Sequence, residues 1–210
     1  IVEQMASDEI LMGITGDPFW ADHCENVALN TFTAATTSDM KALRYITSPN
    51  MAISDEKLHG PSIDNNLRGM LSMSPFSSRC CQHNHGMGWP YYAEHLVMAT
   101  SDNGLATMLY AANETTAKVG AEGRSVRLIE DTEYPFEEKV TLTIRTDGDG
   151  VSFPLYLRIP AWSDKTAVSV NGESVSAAGA TGKYVRIERE WQDGDKVELE
   201  MPMSFTSQLW

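Results

Sequence analysis

The chain has 210 residues, 42% hydrophobic and 21% charged, with 16 Lys+Arg against 29 Asp+Glu and a formal net charge of −13. That apolar content excludes a disordered chain, 15 Gly and 9 Pro exclude a collagen-like one, and three Cys are too few and odd in number for a disulfide framework. The acidic balance argues against a nucleic-acid partner, whose phosphates are bound through Lys and Arg, and no run of about 18 apolar residues is present to cross a membrane as a helix.

The first residues, Ile1-Val2-Glu3-Gln4-Met5, lack an initiator Met and any basic-then-apolar leader. Val2, Met5, Ile10, Leu11 and Ile14 recur at helical spacing from the outset, so the chain reads as a piece of a longer protein. Thr15-Gly16-Asp17-Pro18 is a helix stop followed by a helix start. Gly16 suits a C-terminal cap, Asp17 caps the next helix, and Pro18 fits its first turn. That second helix is predicted from Pro18 to about Ala35, with Ala21, Cys24, Ala28 and Phe32 on one face. A short extended stretch, Ala42–Ile46, follows. From Thr47 to Asn84 the pattern is irregular, and long irregular segments inside compact domains are usually functional. A third helix is predicted from His85 to Met98.

After Ser101-Asp-Asn-Gly104 the period falls to two. Strands are predicted at 105–111, 125–131, 139–145, 152–159, 167–170, 184–189 and 196–200. Turn signals separate several of them: Asp147-Gly-Asp-Gly150, Asn171-Gly172 and Asp193-Gly194. Asn171-Gly172 reads as a two-residue hairpin turn, and the whole series as a β-sandwich. Asp147-Gly-Asp-Gly150 lacks the rest of a calcium loop and reads as a turn. The organisation is a helical part, 1–103, and an all-β part, 104–210.

The densest reactive run is Arg79-Cys-Cys-Gln-His-Asn-His85. Two readings apply to it: buried core cysteines with surface histidines nearby, or thiolate ligands of a metal, for which zinc is the usual choice. Cys80 and Cys81 supply two of the four ligands zinc usually takes. His83 and His85 either line a ligand site or complete the metal set. Cys24 reads as a buried helix-face thiol, and Glu25 and Tyr45, taken alone, as a helix charge and a packing residue. Trp89, Tyr91 and Tyr92 suit either ring stacking or core packing, and eleven Met read as core filler.

Cys80-Cys81-Gln82-His83-Asn84 resembles the Cys-Cys-x-x-Asn signature of glycoside hydrolase family 127, the β-L-arabinofuranosidase-like family. Four further stretches resemble the family in the same order: Thr15-Gly-Asp-Pro-Phe-Trp-Ala-Asp22; Glu25-Asn-Val-Ala-Leu-Asn30; Arg44-Tyr45 through Pro49-Asn50; and, in the β half, Leu157-Arg-Ile-Pro-Ala-Trp162 with Val170-Asn-Gly172. The resemblance implies an α+β chain that holds the C-terminal helices of an (α/α)6 barrel followed by an antiparallel β-sandwich. It implies a retaining glycosidase with a zinc-bound cysteine nucleophile, releasing terminal β-L-arabinofuranosyl or a similar sugar from an oligosaccharide or plant glycan. By the same resemblance Cys80 is the nucleophile, Cys80 and Cys81 bind Zn²⁺, and Glu25 and Tyr45 line the sugar site. The family's Pro-Pro after the cysteines is Gln82-His83 here, which makes the surroundings of the thiol more polar. The remaining zinc ligands and the general acid/base are expected upstream of Ile1. Two other classes stay open on the residues themselves: a non-catalytic carbohydrate-binding module with structural cysteines, and a cysteine-based redox or metal sensor.

Overall fold

The structure, a computed structural model, describes residues 1–44, 70–72 and 79–207. Two compact units partition the chain: Ile1–Ile10 with His23–Ala93, and Leu11–Asp22 with Glu94–Trp210. Two helices, α1 (Val2–Thr15) and α2 (Pro18–Asn26), contribute to both. The punctuation between them is as the residues demand. Gly16 closes α1 at φ 66°, and the Asp17 carboxylate accepts the backbone N–H of Phe19, 2.9 Å away, at the start of α2.

The buried face of α2 and its continuation is the predicted one: Ala21, Cys24, Ala28 and Phe32 are all buried. In α1 the apolar spacing mixed two faces. Val2, Met5 and Met12 are buried together with Asp8 and Glu9, whereas Ile10 and Ile14 are exposed. The acids tolerate burial because they are partnered. Gln4 Nε2 donates to Asp8 (2.9 Å), His23 Nδ1 donates to its other oxygen (2.7 Å), and the Cys24 thiol lies 3.7 Å from Glu9.

The helix beginning at Pro18 does not remain α-helical. Val27–Phe32 forms a π-helical segment, in which Thr33 donates both its backbone N–H and its hydroxyl (2.7 Å) to the Ala28 carbonyl. Strands β1 (Ala42–Arg44) and β2 (Met70–Ser72) then pair antiparallel, Leu43 opposite Leu71. The predicted loop end and third helix are redrawn. Helix α3 (Arg79–Gly86) takes in the Cys-Cys run, α4 (Gly88–Glu94) follows, and Val97–Ala99 is a strand, β3. Pairing with β4 (Leu105–Thr107) across the Ser101–Gly104 turn, with Asn103 at φ 61°, takes these residues out of the helix.

The second unit contains two sheets. Strands β5 (Asn113–Val119), β6 (Arg124–Thr132), β7 (Lys139–Thr146), β8 (Val151–Ile159), β9 (Ala167–Val170), β10 (Glu173–Val175), β11 (Lys183–Trp191) and β12 (Lys196–Glu200) complete the set. One sheet has the order β10-β9-β12-β7-β6-β5 and the other β11-β8-β4-β3. All pairings but one are antiparallel. The exception, β4 with β8, departs from the expected wholly antiparallel sandwich, because the chain leaves β4 for the other sheet and returns in the same direction. Alternate residues of β6, β7 and β12 (Val126 and Leu128; Val140, Leu142 and Ile144; Val197 and Leu199) are buried. The Asn171-Gly172 turn joins β9 to β10 with both residues at positive φ, as a type I′ turn requires.

A guanidinium lies in this core. Arg158 on β8 is fully buried, and its guanidinium pairs with Asp22 of α2 and donates to the Met108 carbonyl. It also lies 5.3 Å from the centre of the Tyr110 ring. Asp22 accepts the Ala161 N–H as well (3.0 Å). Removing one partner of such a pair leaves the other charge stranded. Asp22→Ala should therefore destabilise this unit by about 3 kcal/mol, read from urea unfolding followed through the buried Trp191 indole. Unchanged unfolding would show that the pair carries no stability.

Glu130 on β6 is buried too. It accepts the Ala111 N–H (3.1 Å) and Asn113 Nδ2 (3.0 Å). Burial pushes its carboxyl up to about 8, against the pull of these donors and of Arg158. A carboxyl raised in the folded state stabilises fully below its unfolded value of 4.5, and that contribution is lost as pH rises through about 8. The melting temperature should fall between pH 5 and 8.5, and Glu130→Gln should flatten that fall. An equal pH dependence in the variant would refute the assignment.

Candidate functional site

A cluster of rings in the first unit joins the helices that bear the candidate residues. Phe32, at the end of the π-helical segment, packs against His85 of α3 (ring centres 4.5 Å apart) and edge-on against Trp89 of α4 (5.2 Å). Gly88 is glycine because any Cβ there would overlap the Phe32 ring. Trp89 in turn meets the buried Tyr92 edge-on at 5.7 Å. Tyr92 thus belongs to the core, while Trp89 keeps an exposed face.

Helical spacing then relates the candidate residues. Glu25 lies near the end of α2, which the π-helical segment continues to Phe32, and Cys81 lies one turn before His85 on α3, so the Phe32–His85 contact ties the helix bearing Glu25 to the helix bearing the cysteines. His85 is partly buried, which lowers its pKa and favours the neutral ring. His83 is exposed. Tyr45 lies outside the described residues.

Cys80 is exposed and Cys81 half-buried, with their sulfurs 3.6 Å apart. Burial, followed by the neighbouring Cys80 thiol, raises the Cys81 pKa. Two Zn–S bonds of about 2.3 Å at a tetrahedral angle hold their sulfurs about 3.8 Å apart. The pair therefore has the spacing of two ligands to one ion. Among the described residues no group of three or more His, Cys, Asp and Glu could hold a metal, so any ion here would have only these two thiols as ligands from the described residues.

The third cysteine contrasts with them. Cys24 is fully buried beside Glu25, itself buried on α2. Burial, then the charges of Glu9 and Asp8, push its thiol far above the ordinary range. It is a protonated core thiol, as its helix-face position predicts. The sequence offered no sign of the acids around it, because Asp8 and Glu9 reach it from another helix.

Comparison with known proteins gives the following. Residues 1–94 match the family model described as Beta-L-arabinofuranosidase, GH127 catalytic domain, and residues 104–203 match that of the GH127 middle domain. A solved glycoside hydrolase is 27% identical with a TM-score of 0.75, over 96% of this chain and 32% of its own. A GH127 beta-L-arabinofuranosidase from Geobacillus stearothermophilus T6, Ara127N, is 26% identical with a TM-score of 0.78, over 97% of this chain and 31% of its own. A GH127 beta-arabinofuranosidase at 22% identity and TM-score 0.74 shares the fold over 96% of this chain and 31% of its own. This chain thus spans about a third of the length of these solved proteins. A search of curated protein sequences finds no significant match.

The two thiol environments predict an order of reactivity. Under native conditions iodoacetamide should label Cys80 first, and Cys24 only after unfolding, as read by peptide mass spectrometry. Native labelling of Cys24 as fast as Cys80 would contradict the buried, acid-flanked placement.

Proposed function

The chain belongs to the glycoside hydrolase 127, or β-L-arabinofuranosidase, family, and from that premise we propose that it is part of a retaining glycosidase in which Cys80 is the nucleophile. The observation that carries this reading is the pair of sulfurs 3.6 Å apart on α3, one of them exposed. The helices of the first unit are taken to complete an (α/α)6 barrel. The substrate is a terminal β-L-arabinofuranosyl or similar residue of an oligosaccharide or plant glycan.

In this mechanism Cys80 and Cys81 would hold zinc, with the remaining ligands and the general acid supplied by residues outside this chain. Bound zinc would supply the positive charge that keeps both thiols ionised at neutral pH. The Cys80 thiolate attacks the anomeric carbon from the face opposite the leaving oxygen. The C–S bond forms as the C–O bond breaks, and the leaving oxygen takes a proton from the general acid. Water then attacks the same carbon and gives a proton to the conjugate base, while sulfur departs as thiolate. Two inversions give net retention. Glu25 accepts a hydroxyl hydrogen bond from the sugar, and Tyr45 borders it.

The full-length protein tests this. It should carry one zinc and hydrolyse an aryl β-L-arabinofuranoside, and Cys80→Ser should lower kcat by several orders of magnitude. Glu25→Gln should weaken turnover less. The 210-residue chain alone should bind zinc weakly and turn over no glycoside, since two thiolates are half a tetrahedral site and the loss of a general acid costs about 10²–10⁴ in rate. Full activity and one tightly held zinc in the chain alone would move the missing groups onto His83, His85 and Glu25. Undiminished activity of Cys80→Ser in the full-length protein would remove Cys80 as the nucleophile, and absence of activity in the unsubstituted full-length protein would favour the non-catalytic binding module.

A further inference from the structure

The second unit contains a half-open cleft of about 540 Å³, within the range of about 300–1,000 Å³ usual for small-molecule sites. Its walls are the last turn of α1, the β3–β4 hairpin, and two tyrosines, Tyr156 of β8 and Tyr184 of β11. The rings stand edge to face with centres 6.3 Å apart. Met12, Met98 and Met108 provide an apolar floor. Gly13 keeps the cleft wide, since a Cβ there would lie 3.2 Å from the Met98 methyl.

One wall is charged and already ordered. The Asp102 carboxylate accepts from the Thr100 hydroxyl, from Tyr156 OH (2.7 Å) and from Arg186 Nη2 (3.4 Å). Arg186 Nε donates to the same Tyr156 oxygen (2.8 Å), and its Nη1 donates to Glu188 (2.6 Å). The Thr100 hydroxyl also accepts the Gly104 N–H (3.0 Å), which fixes the hairpin turn carrying Asp102. The network positions an acceptor beside two aromatic surfaces before any ligand arrives, so little ordering cost remains for binding.

The chemistry of the walls selects the ligand. An anion would meet Asp102 in a chain of net charge −13. A purely apolar ligand would strip water from Asp102 and Tyr156 and return no hydrogen bond. A neutral sugar ring matches both surfaces, with C–H faces for the tyrosines and methionines and hydroxyls for Asp102 and the neighbouring Ser101. We propose that the cleft bounded by Asp102, Tyr156 and Tyr184 is an accessory saccharide site that holds a further sugar of the glycan. This rests on the reading of the protein as glycan-acting.

The test uses full-length protein carrying Cys80→Ser to stop turnover, with ¹³C-labelled methionine methyls and a linear L-arabinofuranosyl tetrasaccharide as probe. The Met98 and Met108 signals, assigned through Met→Leu variants, should shift saturably. Asp102→Ala, at an exposed turn, and Tyr156→Ala should each raise the Kd read from those signals about tenfold or more. Signals that stay still at saturating probe, or shifts that survive both variants undiminished, would overturn the site. Hydrolysis of the aryl arabinofuranoside by protein with Cys80 intact is scored separately. Activity without methyl shifts overturns the cleft alone, and methyl shifts without activity support the cleft while overturning the catalytic reading.

Discussion

A guanidinium with no access to water must find its partners inside the protein, and Arg158 is such a group. Its needs bring distant segments to one point. The middle of α2 contributes Asp22, the segment after β4 contributes the Met108 carbonyl, and Tyr110 contributes both a ring face and a hydroxyl that donates to the Arg158 carbonyl. The positive charge of Arg158 also acts on Glu130 of β6, in the other sheet, opposing the upward shift that burial gives that carboxyl. Asp22 and Arg158 stand 136 positions apart in sequence. They end and nearly begin two of the stretches that resemble the family, Thr15–Asp22 and Leu157–Trp162, so one ion pair accounts for a feature of each.

The same principle, that burial must be matched by partners, separates the cysteines by role. Cys24 sits among Asp8, Glu9 and Glu25, where a thiolate would face three carboxylates in a site removed from water. Cys80 sits at the exposed start of α3 beside a second sulfur, where a cation could reach both. The chain therefore holds one thiol whose surroundings oppose ionisation and a pair whose spacing suits a shared positive ion.

Much of the local structure was legible because short-range chemistry dictates it. Gly16-Asp17-Pro18 stops one helix and caps the next, Asn171-Gly172 makes a hairpin turn, and 167–170 and 196–200 form strands at the predicted limits. The failures have equally particular causes. The edge strand β5, Asn113–Val119, was missed because only Val119 of its residues is buried, so its sequence shows little apolar alternation. Strand β3 was read as helix because pairing with β4 overrides local preference. The face of α1 was misread because Asp8 and Glu9 are buried by partners from another helix, while Ile10 and Ile14 are left outside. Nothing in Val27–Phe32 announces a π-helical segment.

The candidate site divides along the same line. The vicinal cysteines are a local fact, visible in the order of residues, and so is the run of stretches that resemble the GH127 family, whose models match residues 1–94 and 104–203. Adjacent positions on one backbone can hardly be far apart, which is why Cys80 and Cys81 could be paired from sequence. By itself the sequence determined composition, caps, turns, most strands and the likeness to a family. Only the tertiary structure decided that Phe32 would meet His85, that Asp22 would meet Arg158, and that Asp102 would stand against Tyr156 and Arg186. Each of these contacts joins residues far apart in the chain, and their encounter depends on how whole elements pack, which no local propensity encodes.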